Sequence, residues 1–154
     1  MNGLKIFFSM FLLLVIFSCS EKTTNRSSDS RNEEITFIGL SDAGGQLGYY
    51  RVIKVSKDSI HFESGQTANN KHEEWHSVIK PETWKKLVFC FKIKNLDSIE
   101  SSPSIQAIDG IDESFQIKTS KKSHVYVNAH SDIHYNQFNC FKQELLKIIP
   151  QKYQ

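Results

Sequence analysis

From Ile35 onward the apolar side chains recur at every second residue, and a segment with that period buries them on one side only when it is extended. In the first such segment Ile35, Phe37 and Gly39 fall on one face, with Thr36 and Ile38 on the other. In the next, Tyr50, Val52, Lys54 and Ser56 alternate with Tyr49, Arg51, Ile53 and Val55. Lys57 and Asp58 then form a tight turn into Ser59 to Glu63, which makes a hairpin. A further strand fits Trp75 to Ile79, and a second hairpin pairs Ser114 to Thr119 with His124 to Asn128 across the polar turn Ser120 to Ser123. Strands joined by tight turns pair antiparallel. The expected sheet is therefore mainly antiparallel, with about five to six strands.

Two segments change to helical spacing. Pro81 suits a first helical turn, where its missing N–H is no loss, and Trp84, Leu87, Val88 and Phe91 follow on one face. A second helix is expected from about Asn136 to Ile149, with Phe138, Phe141, Leu145 and Ile148 as its stripe and Pro150 as its stop. Large apolar side chains contribute about 1.5 to 3 kcal/mol each on full burial, so both helices should pack on one face of the sheet in an α+β fold.

The first twenty residues follow a different logic. Lys5 precedes an apolar run from Ile6 to Phe17 broken only by Ser9. That run is shorter than the roughly twenty residues of a spanning helix and has the outline of a secretory signal. Ile16, Phe17, Ser18 and Cys19 resemble the lipobox of Gram-negative lipoproteins, with Phe17 bulkier than the usual residue there. The resemblance implies cleavage after Ser18, a diacylglyceryl thioether on Cys19, and acylation of the new amino terminus with a fatty acid such as palmitate. Several acyl chains together hold a protein to a bilayer almost permanently. Ser20 to Glu33 contains no apolar residue and cannot bury enough surface to offset its conformational entropy, so a flexible tether is expected. The chain thus divides into a signal peptide at 1–18, a lipidated cysteine and tether at 19–33, and one domain at 34–154. Ser20 lacks the aspartate tied to inner-membrane retention. The expected location is the cell envelope, lipid-anchored, with the outer membrane favoured on its periplasmic face or surface.

Without the leader, about 136 residues remain, enough for one core. The whole sequence holds 19 Lys and Arg against 17 Asp and Glu, and the leader's Lys5 is among the bases. A balance this even gives no basic face for nucleic acid. No cofactor is expected. The glycine-rich stretch Ser41 to Gly48 has no Lys-Ser or Lys-Thr ending and is no P-loop. A hairpin connection that needs positive φ angles accounts for its glycines. Asp109, Gly110, Ile111 and Asp112 form a turn before a strand, with too few carboxylates for a calcium loop.

His72, Glu73, Glu74, Trp75 and His76 match H-E-x-x-H, the signature of zinc metallopeptidases. On a helix, His72 and His76 could ligate one zinc while Glu73 served as base on its bound water. In a strand they would stand roughly 13 Å apart and could not. Gly65, Asn69 and Asn70 upstream and Pro81 downstream disfavour a helix, and Ile79 and Glu82 stand where a metzincin extension needs Gly and His. A polar strand is expected, so no metal site is assigned, and a zinc metallopeptidase remains the alternative function. His130 and His134 repeat the four-residue spacing near His124, but Ser131 and Asp132 between them suit a turn or cap. Cys90 and Cys140 are the thiols left once Cys19 is acylated; they could form a disulfide or stay free in the helices.

Taken together, Gly48 to Asp58 as a hairpin, Pro81 to Leu87 with Trp84, Ser102 to Ser104, Asp109 to Asp112 and the last helix are similar to small uncharacterised lipoproteins of the Bacteroidota type. The resemblance implies an anchored α+β domain, a polar strand at His72 to His76, and no particular activity. The expected function is a membrane-anchored envelope lipoprotein with a small non-enzymatic binding domain. Its partner would be a protein, and an inhibitor or immunity-type role would suit its size.

Overall fold

The structure is a computed structural model that describes residues 33–154. Ser18, Cys19 and the rest of the expected signal peptide and tether up to residue 32 lie outside the described residues. Six strands form one sheet: β1 (Ile35–Gly44), β2 (Tyr49–Ser56), β3 (Ser59–Gln66), β4 (Lys71–Val78), β5 (Ile111–Thr119) and β6 (Ser123–Val127). Their order is β4-β3-β2-β1-β5-β6, and every neighbouring pair is antiparallel. Two helices, α1 (Pro81–Phe89) and α2 (Asn136–Leu146), complete the α+β fold.

Cross-strand register aligns the apolar residues of one face into rows. Ile60, Val55, Ile38 and Ile117 form one row, and Phe62, Ile53, Leu40, Phe115 and Tyr126 form the next. All nine are buried. Against them α1 sets Trp84 and Leu87, and α2 sets Phe138, Phe141 and Leu145. Phe138 stacks on Phe115 at 4.3 Å between ring centroids, while Phe91, Tyr126 and Tyr135 surround it at 5.9, 5.4 and 5.8 Å. The Tyr126 hydroxyl donates to Leu96 O at 2.6 Å, which ties a short 3-10 turn, Ile93–Ser98, to the sheet. Burial, followed by the charges of Asp97 and Asp132, raises this phenol well above its ordinary pKa.

Several local expectations shift. The pairing register of β1 slips between Ile35 and Phe37, and Ile35 is buried along with Ile38 instead of sharing the face of Phe37. β1 also runs on through Ser41 to Gly44, residues expected in a loop, because each of them pairs with both β2 and β5. The remaining turn is short, with φ of +139° at Gly44 and +62° at Gly48. A Cβ at Gly44 would lie 2.1 Å from Gly110 O, so glycine is required there twice over. α2 ends at Leu146, and its last turn tightens through Lys147 N–H to Glu144 O and Ile148 N–H to Leu145 O. That tightening carries Ile149 into the core in place of Ile148.

Cys90 and Cys140 form a disulfide, with Cα atoms 5.5 Å apart, that joins the end of α1 to α2 across 50 residues of sequence. Among the described residues no helix is long and apolar enough to cross a membrane.

Truncating the residue at the centre of the aromatic cluster should be severe: Phe138→Ala is expected to lower the unfolding free energy by about 3 to 5 kcal/mol, measured by urea denaturation. Replacing both Cys90 and Cys140 by Ala should lower it by about 2 to 4 kcal/mol, since the closed loop is long. An unchanged denaturation midpoint in that double variant would count against the bridge.

Candidate functional site

The H-E-x-x-H segment lies wholly in β4, so the helix on which a zinc site depends does not form. His72, Glu74 and His76 project to one face of the sheet and Glu73 to the other, which separates the would-be base from the would-be ligands. At strand rise His72 and His76 are roughly 13 Å apart. Each has a local partner instead. The Tyr50 hydroxyl is 2.9 Å from His72 Nδ1, and His76 is the register partner of His61. Glu74 stands between His61 and His72, with its oxygens 3.6 and 3.9 Å from their ring nitrogens. The other histidines disperse: His124 Nδ1 is 3.6 Å from Asp97, His130 Nδ1 is 3.6 Å from Glu113, and His134 Nδ1 is 3.3 Å from Asn95. Among the described residues no three His, Cys, Asp or Glu side chains converge as a metal ion needs.

The charged residues that do converge lie on the helix-covered face. Arg51, Asp42 and Glu113 are register neighbours across β2, β1 and β5, one row beyond the apolar row of Ile53, Leu40 and Phe115. Asp42 Oδ2 accepts from Arg51 Nε at 2.7 Å and forms an ion pair with Nη2 at 2.6 Å. Glu113 accepts from Lys142 Nζ at 2.7 Å and from the Tyr135 hydroxyl at 2.6 Å, and Lys142 also donates to that hydroxyl at 2.7 Å. The Asp42 and Glu113 side chains are only 12% and 11% exposed, so both carboxylates depend on their cations. Burial, reinforced by the hydrogen bond to Glu113, raises the Tyr135 pKa. Burial alone would lower that of Lys142, but Glu113 and Tyr135 outweigh it and the ammonium is held above its ordinary value.

A cavity of about 300 Å³ adjoins this row, between the sheet and α2. Leu40, Ile53, Phe62, Leu145 and Ile149 form its buried apolar floor. Tyr153 closes one side, its ring 5.2 Å from that of Phe62. Arg51 and Lys142 line the cavity, whereas their acids Asp42 and Glu113 do not.

A second candidate feature is the end of the sheet where β1 turns into β2. Three loops are knitted together there by Gly45 N–H to Gly110 O, Thr67 N–H to Gly48 O and Ala68 N–H to Leu47 O. Gln46 adds a side-chain bond to Asp109. Leu47, Ile105, Ile108 and Ile111 remain exposed on this end, Ile108 by 80%. Beneath them Asp112 anchors the loop: its carboxylate accepts from Ile105 N–H at 2.8 Å and from Asn128 Nδ2 at 2.7 Å. Bonds from Ser104, Ile105 and Asn128 hold its pKa below the usual carboxylate range. Asp132 does the same for its own neighbourhood, accepting from Glu100 N–H and His134 N–H, and its pKa is lowered chiefly by the first of these.

The turn expected at Asp109 to Asp112 therefore has a structural anchor within it. Asp42, Glu113, Lys142 and Tyr135 were not expected as site residues. In an extended β1, however, Asp42 falls in phase with the apolar Ile38 and Leu40, and a charge in phase with a buried stripe is a sequence signal. No protein-family model matches the chain, and no curated protein matches it either.

Two outcomes follow from this geometry. Lys142→Met should lower stability by about 2 to 3 kcal/mol by stranding the Glu113 carboxylate, and adding Glu113→Gln should restore part of the loss; a strictly additive double variant would show the pair to be uncoupled. The folded pKa values of Asp112 and Asp132 lie below their unfolded ones, so their stabilisation is fully present above the unfolded value near 3.9 and is lost as pH falls through the folded values. The melting temperature should thus hold above about pH 5 and drop below about pH 4, and Asp112→Asn should lower it at pH 7 and flatten the acid limb.

Proposed function

We propose that the chain is a lipid-anchored envelope protein whose globular domain binds a protein partner through the loop end formed by Leu47, Ile105, Ile108 and Ile111. The observation that carries this reading is the exposure of Leu47, Ile105 and Ile108 on connections pinned by hydrogen bonds, with Ile111 exposed beside them at the start of β5. Solvent-exposed aliphatic groups on a fixed scaffold are what a complementary apolar pocket recognises, and prior ordering of the loops spares the entropy of fixing them on binding. The loop end also lies at the Gly44 end of β1, whereas the sequence leads into β1 at Ile35. Ten extended residues span roughly 33 Å, which places the recognition loops well away from the point where an anchored chain would enter the domain.

An inhibitor or immunity-type protein is the form of this function that a small binding domain with an exposed apolar end fits best. Catalysis receives no comparable support, because the one catalytic sequence motif lies in a strand. Cys19 would carry the anchor after cleavage at Ser18, with the outer membrane as its site.

The reading is tested in two steps. Mass spectrometry of native material should find the chain starting at Cys19 with its sulfur diacylglycerated. A photo-crosslinker at position 108 should then capture one envelope protein, capture should fail from positions 78 and 89, and Ile111→Asp should weaken it at least tenfold. Equal capture from all three positions, or an unmodified Cys19, would overturn the proposal.

A further inference from the structure

The orientation of the two ion pairs beside the α2 cavity carries an inference beyond partner binding and independent of it. Apolar side chains make the floor of the cavity, and among the described residues the charged side chains lining it are the cations Arg51 and Lys142. Asp42 and Glu113 stand behind them in the sheet. Each pair is neutral as a whole, yet both present their positive ends to the same space.

Donors remain free at that rim. Arg51 spends Nε and Nη2 on a single oxygen of Asp42, and a guanidinium has five N–H bonds to give. Lys142 spends two bonds, on Glu113 and Tyr135, out of three. Both side chains are part-exposed, 33% for Arg51 and 27% for Lys142, so an incoming group can reach them. An apolar pocket with a small number of convergent polar donors is the usual form of a small-molecule site, and a volume near 300 Å³ is at the lower end of the range.

We infer that this cavity binds a single-chain carboxylate amphiphile, with its hydrocarbon chain over Leu40, Ile53, Phe62, Leu145 and Ile149 and its carboxylate at Arg51 and Lys142. The chain gains from leaving water, and the head group gains charge-assisted hydrogen bonds from donors already fixed by Asp42 and Glu113. Two carboxylates behind the cations weaken the attraction for a second anion, so head group and chain are both needed for binding. Leu146, about half exposed at the rim, guards the entrance without belonging to the core.

The test uses the whole processed chain, residues 19–154, with Cys19→Ser so that no detergent competes. Sodium decanoate, decanol, decyltrimethylammonium and acetate are titrated separately and followed by calorimetry and by amide chemical shifts. Decanoate should bind at one site, shift the amides of Leu145, Ile149 and Tyr153, and bind at least tenfold more tightly than decanol or the ammonium compound. Acetate should leave those amides unmoved. The paired change Asp42→Asn with Arg51→Gln, which removes one cation and leaves no stranded acid, should weaken decanoate at least fivefold while decanol is unaffected. Leu146→Trp should block decanoate while circular dichroism remains that of the parent chain. No binding of decanoate, equal binding of decanol, or full binding by Leu146→Trp would each overturn the assignment, and none of these outcomes bears on the loop end or the anchor.

Discussion

Phe115 and Phe138 stack with their ring centroids 4.3 Å apart, and that contact ties α2 to the strand that pairs with β1. Phe115 belongs to β5, which pairs with the central strand β1 although some seventy residues separate them in sequence. Phe138 belongs to α2, which is placed on the sheet by side-chain packing, by the Lys142 bond to Glu113 of β5 and by the disulfide to the end of α1. Ordering so distant a strand against β1 loses chain entropy before any contact is made. The aromatic cluster supplies the compensation where it is needed, since Phe91, Tyr126, Tyr135 and Phe141 all close on the same two rings.

The charged row follows from the same packing. Where β1, β2 and β5 run beyond the apolar rows, the helix-covered face continues with Asp42, Arg51 and Glu113 in place of hydrocarbon. α2 answers with Lys142, one turn beyond Phe138 on a related face, together with Tyr135 at its start. Asp42 and Glu113 are register neighbours, and each carboxylate has its own cation, Arg51 for Asp42 and Lys142 for Glu113. Such pairs add little net stability compared with apolar replacements. What they add here is direction: the cations are steered outward and the acids are held inward.

Much of this fold was legible in the sequence, for physical reasons. Ile53 and Val55 alternate cleanly in a strand with one wet face, and Phe138, Phe141 and Leu145 keep helical spacing over two turns, so period alone located them. β4 was legible more by exclusion, because glycine and asparagine before it and proline after it deny a helix to His72 through His76. Ile35 departs from the face of Phe37 because a bulge inverts the alternation at a single point, and nothing in neighbouring residues announces it. Ser41 to Gly44 looked like a loop because small and polar residues normally punctuate chains; here two flanking strands override that tendency. The charged row was hidden for a different reason: Glu113 and Lys142 are 29 residues apart and meet only through tertiary packing.

The disulfide has a further consequence for chain integrity. Cys90 and Cys140 enclose every residue from the end of α1 to the middle of α2, and the most exposed stretch of that ring is Pro103 to Asp109. An endoprotease reaching this stretch would sever one peptide bond, yet both fragments would remain one covalent molecule, with β5 still clasped between β1 and β6. A nick at this accessible stretch would therefore leave the molecule covalently whole.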